Sequence, residues 1–385
     1  MKRKLLLFPL MFCLLLQGCG AGPVFGDDSR EIDQLELVET VGIDAAGELT
    51  TVTASTGTFS GKPMLLKSSA VTVSRAVREM QNYTDRQYIF YGHAAHILIG
   101  EAAARQDLSR YLDYIERDNE VRLDTKLYIV QGGTAEDAIT AVSSDTETAG
   151  ELLRSLDRDV QLLSESYVFS CGEVSGMLAK RGCALVSAVM LENVDNILDS
   201  ENSTTIQSTG YAVIQNDKLL CFLDTELSRG VNLLIDHTGS DVVEAPDGAG
   251  GWFAARLTGS KVRYAPVFEE GRLSGVRIDV TLHCNLDELQ TPLDIYDENV
   301  IRRLEEGVSA VEAWRVRAVL DRMQETDCDL CDLQTRVRQA ASWRFDRMPE
   351  PWETVFPTLE FEVSVKTVLD RTYDVGLSPL SNGRR

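Results

Sequence analysis

Residues 252–284 read WFAARLTGSKVRYAPVFEEGRLSGVRIDVTLHC, two long alternating runs around the turn Glu269-Glu270-Gly271. Alternation sends successive side chains to opposite faces of a strand, so Trp252–Val267 and Leu273–Cys284 predict an antiparallel pair. Downstream, Asp297–Met323 changes to steps of three and four through Ile301, Leu304, Val308 and Val311. That period gives a long helix one apolar stripe, which needs a sheet to lie on. Leu359–Leu369 (LEFEVSVKTVL) alternates again and supplies a further strand with one buried face. Long strands with one packed helix give an α+β class, mixed sheets with packed helices, and not a series of βα repeats.

Working back from this stretch, Tyr211–Ile214 and Leu219–Leu223 form a hairpin about Asn216-Asp217, and Thr225–Ile235 a helix capped by Asp224 or Thr225. This C-terminal α+β domain is placed at residues 209–375, after a polar loop or boundary over Asp195–Ser208 (DNILDSENSTTIQS). Residues 31–200 make an N-terminal α+β region of one domain or two. In it, Leu35–Asp44 and Thr50–Phe59 read as a hairpin punctuated by Gly47, and Ser69–Met80 as a helix with Ala70, Val73, Val77 and Met80 on one face. Tyr88–Ile99 reads as a strand, Asp107–Arg117 as a helix, Leu123–Val130 as a strand and Ala135–Val142 as a short helix. Residues 143–166 are polar and softer in pattern; a helix over Cys171–Leu178 and a strand over Leu185–Leu191 follow. About 366 residues follow Cys19, enough for two to three domains of roughly 100–200 residues each.

The N-terminus has three zones: a basic start (Lys2, Arg3, Lys4), an apolar run from Leu5 to Leu16, and Leu16-Gln17-Gly18-Cys19. A dozen apolar residues are too few to span a bilayer core, which takes roughly 20 as a helix. The order of an apolar residue, a small residue and then cysteine resembles the lipobox cut by the lipoprotein signal peptidase. Residues 1–18 are thus read as a lipoprotein signal peptide, with palmitate-type acyl lipid on Cys19 and residues 19–30 (with GAGPVFGDDSR after Cys19) as a tether. Two or more acyl chains hold a protein firmly, each buried methylene contributing roughly 0.8 kcal/mol. A tether of about eleven residues reaches at most roughly 35–40 Å, so the body stays at the membrane surface, at high effective concentration for any neighbouring membrane protein.

The whole chain carries −22, and loss of the basic leader leaves about −25. Such a body is repelled by an anionic surface and offers no basic face, so nucleic acid is excluded as a partner. Beyond Cys13 and Cys19 there are six cysteines: Cys171, Cys183, Cys221, Cys284, Cys328 and Cys331. An exported chain permits disulfides among them, with 15 full pairings, or buried free thiols. Cys328-x-x-Cys331 fits a local disulfide or inert thiols better than zinc, which wants a second pair or histidines nearby. His93 and His96 fall on a strand, where they face opposite sides and cannot act as a ligand pair; His237 and His283 are isolated. No G-x-S-x-G, P-loop, G-x-G-x-x-G or H-E-x-x-H occurs, so no catalytic residue, cofactor or metal is assigned and no enzyme is expected.

Several segments, taken in order, resemble the Ger(x)C family, the lipoprotein C subunits of spore germinant receptors. They are Val41-Gly42-Ile43-Asp44, Gly92-His93 through Ile97-Leu98-Ile99-Gly100-Glu101, and Arg117-Asp118-Asn119-Glu120-Val121-Arg122. Asn216-Asp217-Lys218-Leu219 follows, then Leu223, Glu226, Arg229-Gly230, Phe356-Pro357 and Arg371-Thr372. The resemblance runs from about residue 30 to 375 and is specific in its order together with the lipobox. It departs at Asn119, where the family often has proline, and at Cys221-Phe222. It implies a non-enzymatic subunit of a nutrient-sensing receptor needed for spore germination. That subunit would be lipid-anchored on the outer face of the spore inner membrane, in contact with integral membrane A and B subunits. Cys19 is the one functional residue it carries over. The alternatives are a solute-binding lipoprotein, which would deliver a small ligand to a transporter and show two lobes of repeated βα units, and a surface hydrolase.

Overall fold

A computed structural model describes residues 32–57, 63–84, 88–143, 148–194 and 203–371. The first strand, β1 (Leu35–Ala46), turns at Gly47, whose φ of +64° suits glycine, into antiparallel β2 (Leu49–Thr56). The strand β3 (Leu65–Ala70) pairs with β2, and α1 (Val73–Met80) follows it, capped by the Thr72 hydroxyl. Next come β4 (Tyr88–Phe90), β5 (His96–Gly100), α2 (Glu101–Gln106), α3 (Ser109–Arg117) and β6 (Lys126–Val130). Three helices, α4 (Ala135–Val142), α5 (Ala149–Leu162) and α6 (Cys171–Arg181), lead to β7 (Cys183–Val194), β8 (Ser203–Gln215) and β9 (Lys218–Leu223).

These strands form one mixed sheet in the order β3-β2-β1-β5-β6-β7-β8-β9, with β4 paired to the start of β1. Its centre is parallel: β1 with β5, β5 with β6, β6 with β7. Parallel strands need crossover helices that cover both faces, which is why β5 (HILIG) is buried at every residue. The hairpin β8–β9 turns at Asn216 and Asp217, both at positive φ, as the sequence predicts.

A second sheet holds β10 (Val242–Pro246), β11 (Trp252–Glu269), β12 (Arg272–Leu289) and β13 (Glu360–Arg371), in that order. The β11–β12 pair is antiparallel and β13 runs parallel to β12. Helix α7 (Thr225–Ile235), capped by Asp224, runs from β9 of the first sheet to β10 of the second, and α8 (Glu298–Thr326), capped by Asp297, lies between β12 and β13. Leu304, Val308, Val316, Val319 and Leu320 of α8 are buried as its apolar stripe. A further helix, α9 (Leu333–Ala340), follows a short connection. The polar side of α8 covers the free edge of β13: Ser309 Oγ accepts from Thr367 N at 3.1 Å, Glu305 Oε1 accepts from Leu369 N at 3.0 Å, and Arg317 Nη2 donates to Val363 O at 3.2 Å. Occupied in this way, the edge offers little to a further strand.

The expected α+β class of mixed sheets with packed helices is what the structure shows, with some elements redrawn. Ser69 and Ala70 end β3, and the helix begins only at Val73, because alternating exposure along LLKSSA is strand-like. The run Tyr88–Ile99 breaks at a turn over Tyr91–His93, since β4 and β5 pair with successive parts of β1. The polar stretch 143–166 contains the 14-residue α5, which buries Ala149, Leu153 and Val160. Ser203–Ser208, expected as loop, opens β8; residues 195–202 lie outside the described residues. The strand β8 continues through residue 209, and β9 too lies in the first sheet.

Candidate functional site

Cys19 lies outside the described residues, as does the whole tether to residue 31. The described chain begins at Ile32, and Leu35 of β1 pairs with Tyr88 of β4. Beside β4, between α1 and the end of α3, opens a cleft of about 430 Å3, lined by Arg78, Tyr88, Ile89, Tyr91, Tyr114 and Glu120 among others. Tyr88 OH donates to Glu120 Oε1 at 2.6 Å. Asp118 Oδ1 accepts from the backbone N–H of Glu120 at 2.9 Å and of Val121 at 3.3 Å, shaping the turn after α3. Burial pushes the Tyr91 and Tyr114 phenols up, so both stay neutral through physiological pH. The cleft thus sets an aromatic wall and two engaged carboxylates against the exposed guanidinium of Arg78, a surface suited to recognition more than to proton transfer.

The histidines do not form a pair. His93 is exposed on its turn, whereas His96 is buried, with Nε2 2.9 Å from Asp157 Oδ2; the Tyr128 hydroxyl donates to the same carboxylate. His237 stacks on Tyr167 with ring centroids 3.9 Å apart, and burial lowers its pKa. His283 Nδ1 lies 2.8 Å from Asp370 Oδ2. Among the described residues, no group of three His, Cys, Asp or Glu side chains could hold a metal ion. Cys328 and Cys331 are both buried in the connection between α8 and α9, and burial pushes the Cys331 thiol up to about 12.

The positions that carry the family resemblance turn out to close seams. Gly42 on β1 faces α4: a Cβ there would come 2.8 Å from Ile139 Cδ1 and 3.0 Å from Ala135 Cβ. Asp44 accepts from Ala135 N at 2.8 Å and Glu136 N at 2.9 Å, placing its carboxylate on the positive end of α4. Burial outweighs those two bonds and raises its pKa. Gly100 leaves the space that Asp44 occupies, and Glu101 Oε2 accepts from Gly132 N at 2.7 Å. Asp217 accepts from the Ser109 hydroxyl, and its carbonyl takes Leu108 N at 2.6 Å, tying the β8–β9 turn to α3.

The second half of the resemblance meets at the crossing of α7 and α8. A Cβ on Gly230 would lie 2.7 Å from the Arg315 carbonyl oxygen, so the helices approach backbone to backbone. Arg315 is buried and donates to Glu226 at 2.8 Å, Asp241 at 3.0 Å and Glu312 at 2.5 Å. Arg229 joins the cluster, 2.8 Å from Glu226 and 3.2 Å from Asp241. Burial raises the Glu312 carboxyl to about 7 in spite of Arg315, and raises Asp241 as well. Burial also works against ionising Glu226, yet Arg315 and Arg229 hold it below the usual carboxylate range. The sequence marked Glu226, Arg229 and Gly230 by resemblance alone. It gave no sign of Asp241, Glu312 or Arg315.

A family model described as "Spore germination protein N-terminal domain" matches residues 28–189, and one described as "Spore germination B3/ GerAC like, C-terminal" matches residues 209–373. The chain belongs to this GerAC-like spore germination family. The expected Ger(x)C membership is thereby met. A curated relative, "Putative spore germination protein YfkR" of Bacillus subtilis (strain 168), is 21% identical over 372 residues, covering 92% of this GerAC-like chain and 93% of that protein. The solved structure titled "Crystal Structure of the GerBC protein" superposes with a TM-score of 0.57 at 18% identity, covering 88% of this chain and all of that one. At that identity the likeness speaks for the fold. Among the described residues of this family member, no helix is long and apolar enough to cross a membrane.

Proposed function

We propose that this chain is the lipid-anchored C subunit of a nutrient germinant receptor, needed for spore germination through contact with the integral membrane A and B subunits, and without catalysis of its own. The observation that carries this reading is the match of two spore germination family models along a chain whose leader ends in Leu16-Gln17-Gly18-Cys19. In this reading the signal peptidase cuts before Cys19, and a diacylglycerol thioether there fixes the acidic body at the outer face of the membrane. The short tether keeps the cleft beside β4 and the exposed surfaces of both halves close to membrane partners.

The test is Cys19→Ala in the full chain, with fractionation and a germination assay. The expected result is release from the membrane fraction and loss of nutrient-triggered germination, with unchanged response to non-nutrient triggers. Normal nutrient germination by cells whose variant is wholly soluble would overturn the reading.

A further inference from the structure

The strand β7 begins at Cys183, directly opposite Gln215 of β8. Gln215 and the nearby Arg181 reach the end of α8 and the connection that follows it. Arg181 Nη1 donates to the carbonyls of Asp329 at 3.0 Å and Leu330 at 3.2 Å, and Gln215 Nε2 donates to the Thr326 carbonyl at 2.9 Å. Between them the Cys183 thiol lies against the Cys328 thiol, both buried and both free in this structure. The cysteine that faces Cys328 therefore comes from the other half of the molecule, about 145 residues earlier in the chain, and not from the C-x-x-C neighbour.

We propose that Cys183 and Cys328 form a disulfide after export, joining the first sheet to the connection that follows the long helix. The inference rests on the export contained in the proposed function. Chemically, one of the two thiolates attacks one sulfur of an extracytoplasmic disulfide oxidant, releasing the first thiol of that oxidant; the other thiolate then attacks the cysteine sulfur so linked and releases the second. Two S–H bonds are lost, one S–S bond forms, and the two electrons and two protons end on the oxidant as a pair of thiols. Burial of both sulfurs places the reaction during folding, before the halves close. The bond would span the two segments matched by the family models, 28–189 and 209–373, and lock their relative placement covalently.

The experiment is a non-reducing peptide map of the full-length protein extracted from membranes after acid quench and alkylation with N-ethylmaleimide. The expected result is one linked peptide joining Cys183 to Cys328, with Cys171, Cys221, Cys284 and Cys331 alkylated. Alkylation of both Cys183 and Cys328, or linkage of Cys328 to Cys331 or Cys221, overturns it. Reductant should lower the melting temperature of the wild type by at least about 5 °C, given the long loop closed, and leave Cys183→Ser/Cys328→Ser unmoved. If that variant fails to fold, the wild-type map decides alone. The same digest reads the N-terminal peptide, so failure of the anchor and failure of the disulfide are scored separately.

Discussion

The seam between β1 and α4 admits one carboxylate, Asp44, whereas the seam between α7 and α8 is built around five charged side chains: Glu226, Arg229, Asp241, Glu312 and Arg315. Both use a glycine to bring backbone close, Gly42 in the first and Gly230 in the second. The first seam lies within one sheet and its helix, and its polar needs are met by two N–H groups at a helix start. The second lies wholly within the segment 209–373, and its charges satisfy one another only when α7, α8 and the approach to β10 are all in place. Buried ion pairs of this kind add little net stability against an apolar packing of the same volume, but losing one partner is costly. Packing thus closes the first seam, and charge sets the second.

Substitution at both seams puts numbers on that contrast. Arg315→Met leaves Asp241 and Glu312 buried without their main cation and should cost about 3–5 kcal/mol in urea unfolding. Asp44→Ala removes a cap whose benefit is already reduced by burial, and should cost about 1–2 kcal/mol. Equal losses at the two positions would break the distinction.

A second effect sharpens it through pH. Glu312 has its folded pKa raised to about 7, above the ordinary 4.5, so the folded state holds its proton more tightly than the unfolded chain. The corresponding stability is fully present below about pH 4.5 and is lost as pH rises through about 7, amounting to roughly 3 kcal/mol. Glu312→Gln should flatten that decline relative to the wild type, measured as unfolding free energy from pH 4.5 to 8. An unchanged slope would place the pH sensitivity elsewhere.

Much of the fold was legible because its signals are local. The alternation of Trp252–Cys284, the stripe of Asp297–Met323, the Asn216-Asp217 turn and the Asp224 cap each depend on neighbours within one element. The helix α5 was missed because its charged surface outweighs three buried apolar positions. A Thr148-x-x-Glu151 capping box did mark its start: Glu151 N donates to Thr148 Oγ1, and Thr148 N donates to Glu151 Oε2, each at 3.2 Å. Missing α5 also hid Asp157, the partner of the buried His96. The charge cluster was illegible for a different reason: Arg315 lies 89 residues from Glu226 and 74 from Asp241, and no spacing rule connects them. The same holds for Cys183 and Cys328, which only the folded arrangement brings together.

The lipid on Cys19 is the claim on which the function turns, and mass spectrometry of the N-terminal peptide from membrane-extracted protein reads it directly. The expected peptide begins at Cys19 and carries a diacylglyceryl group on sulfur, with or without an acyl chain on its amine. A peptide that retains Met1–Gly18, or that begins at Cys19 with an unmodified thiol, would contradict it.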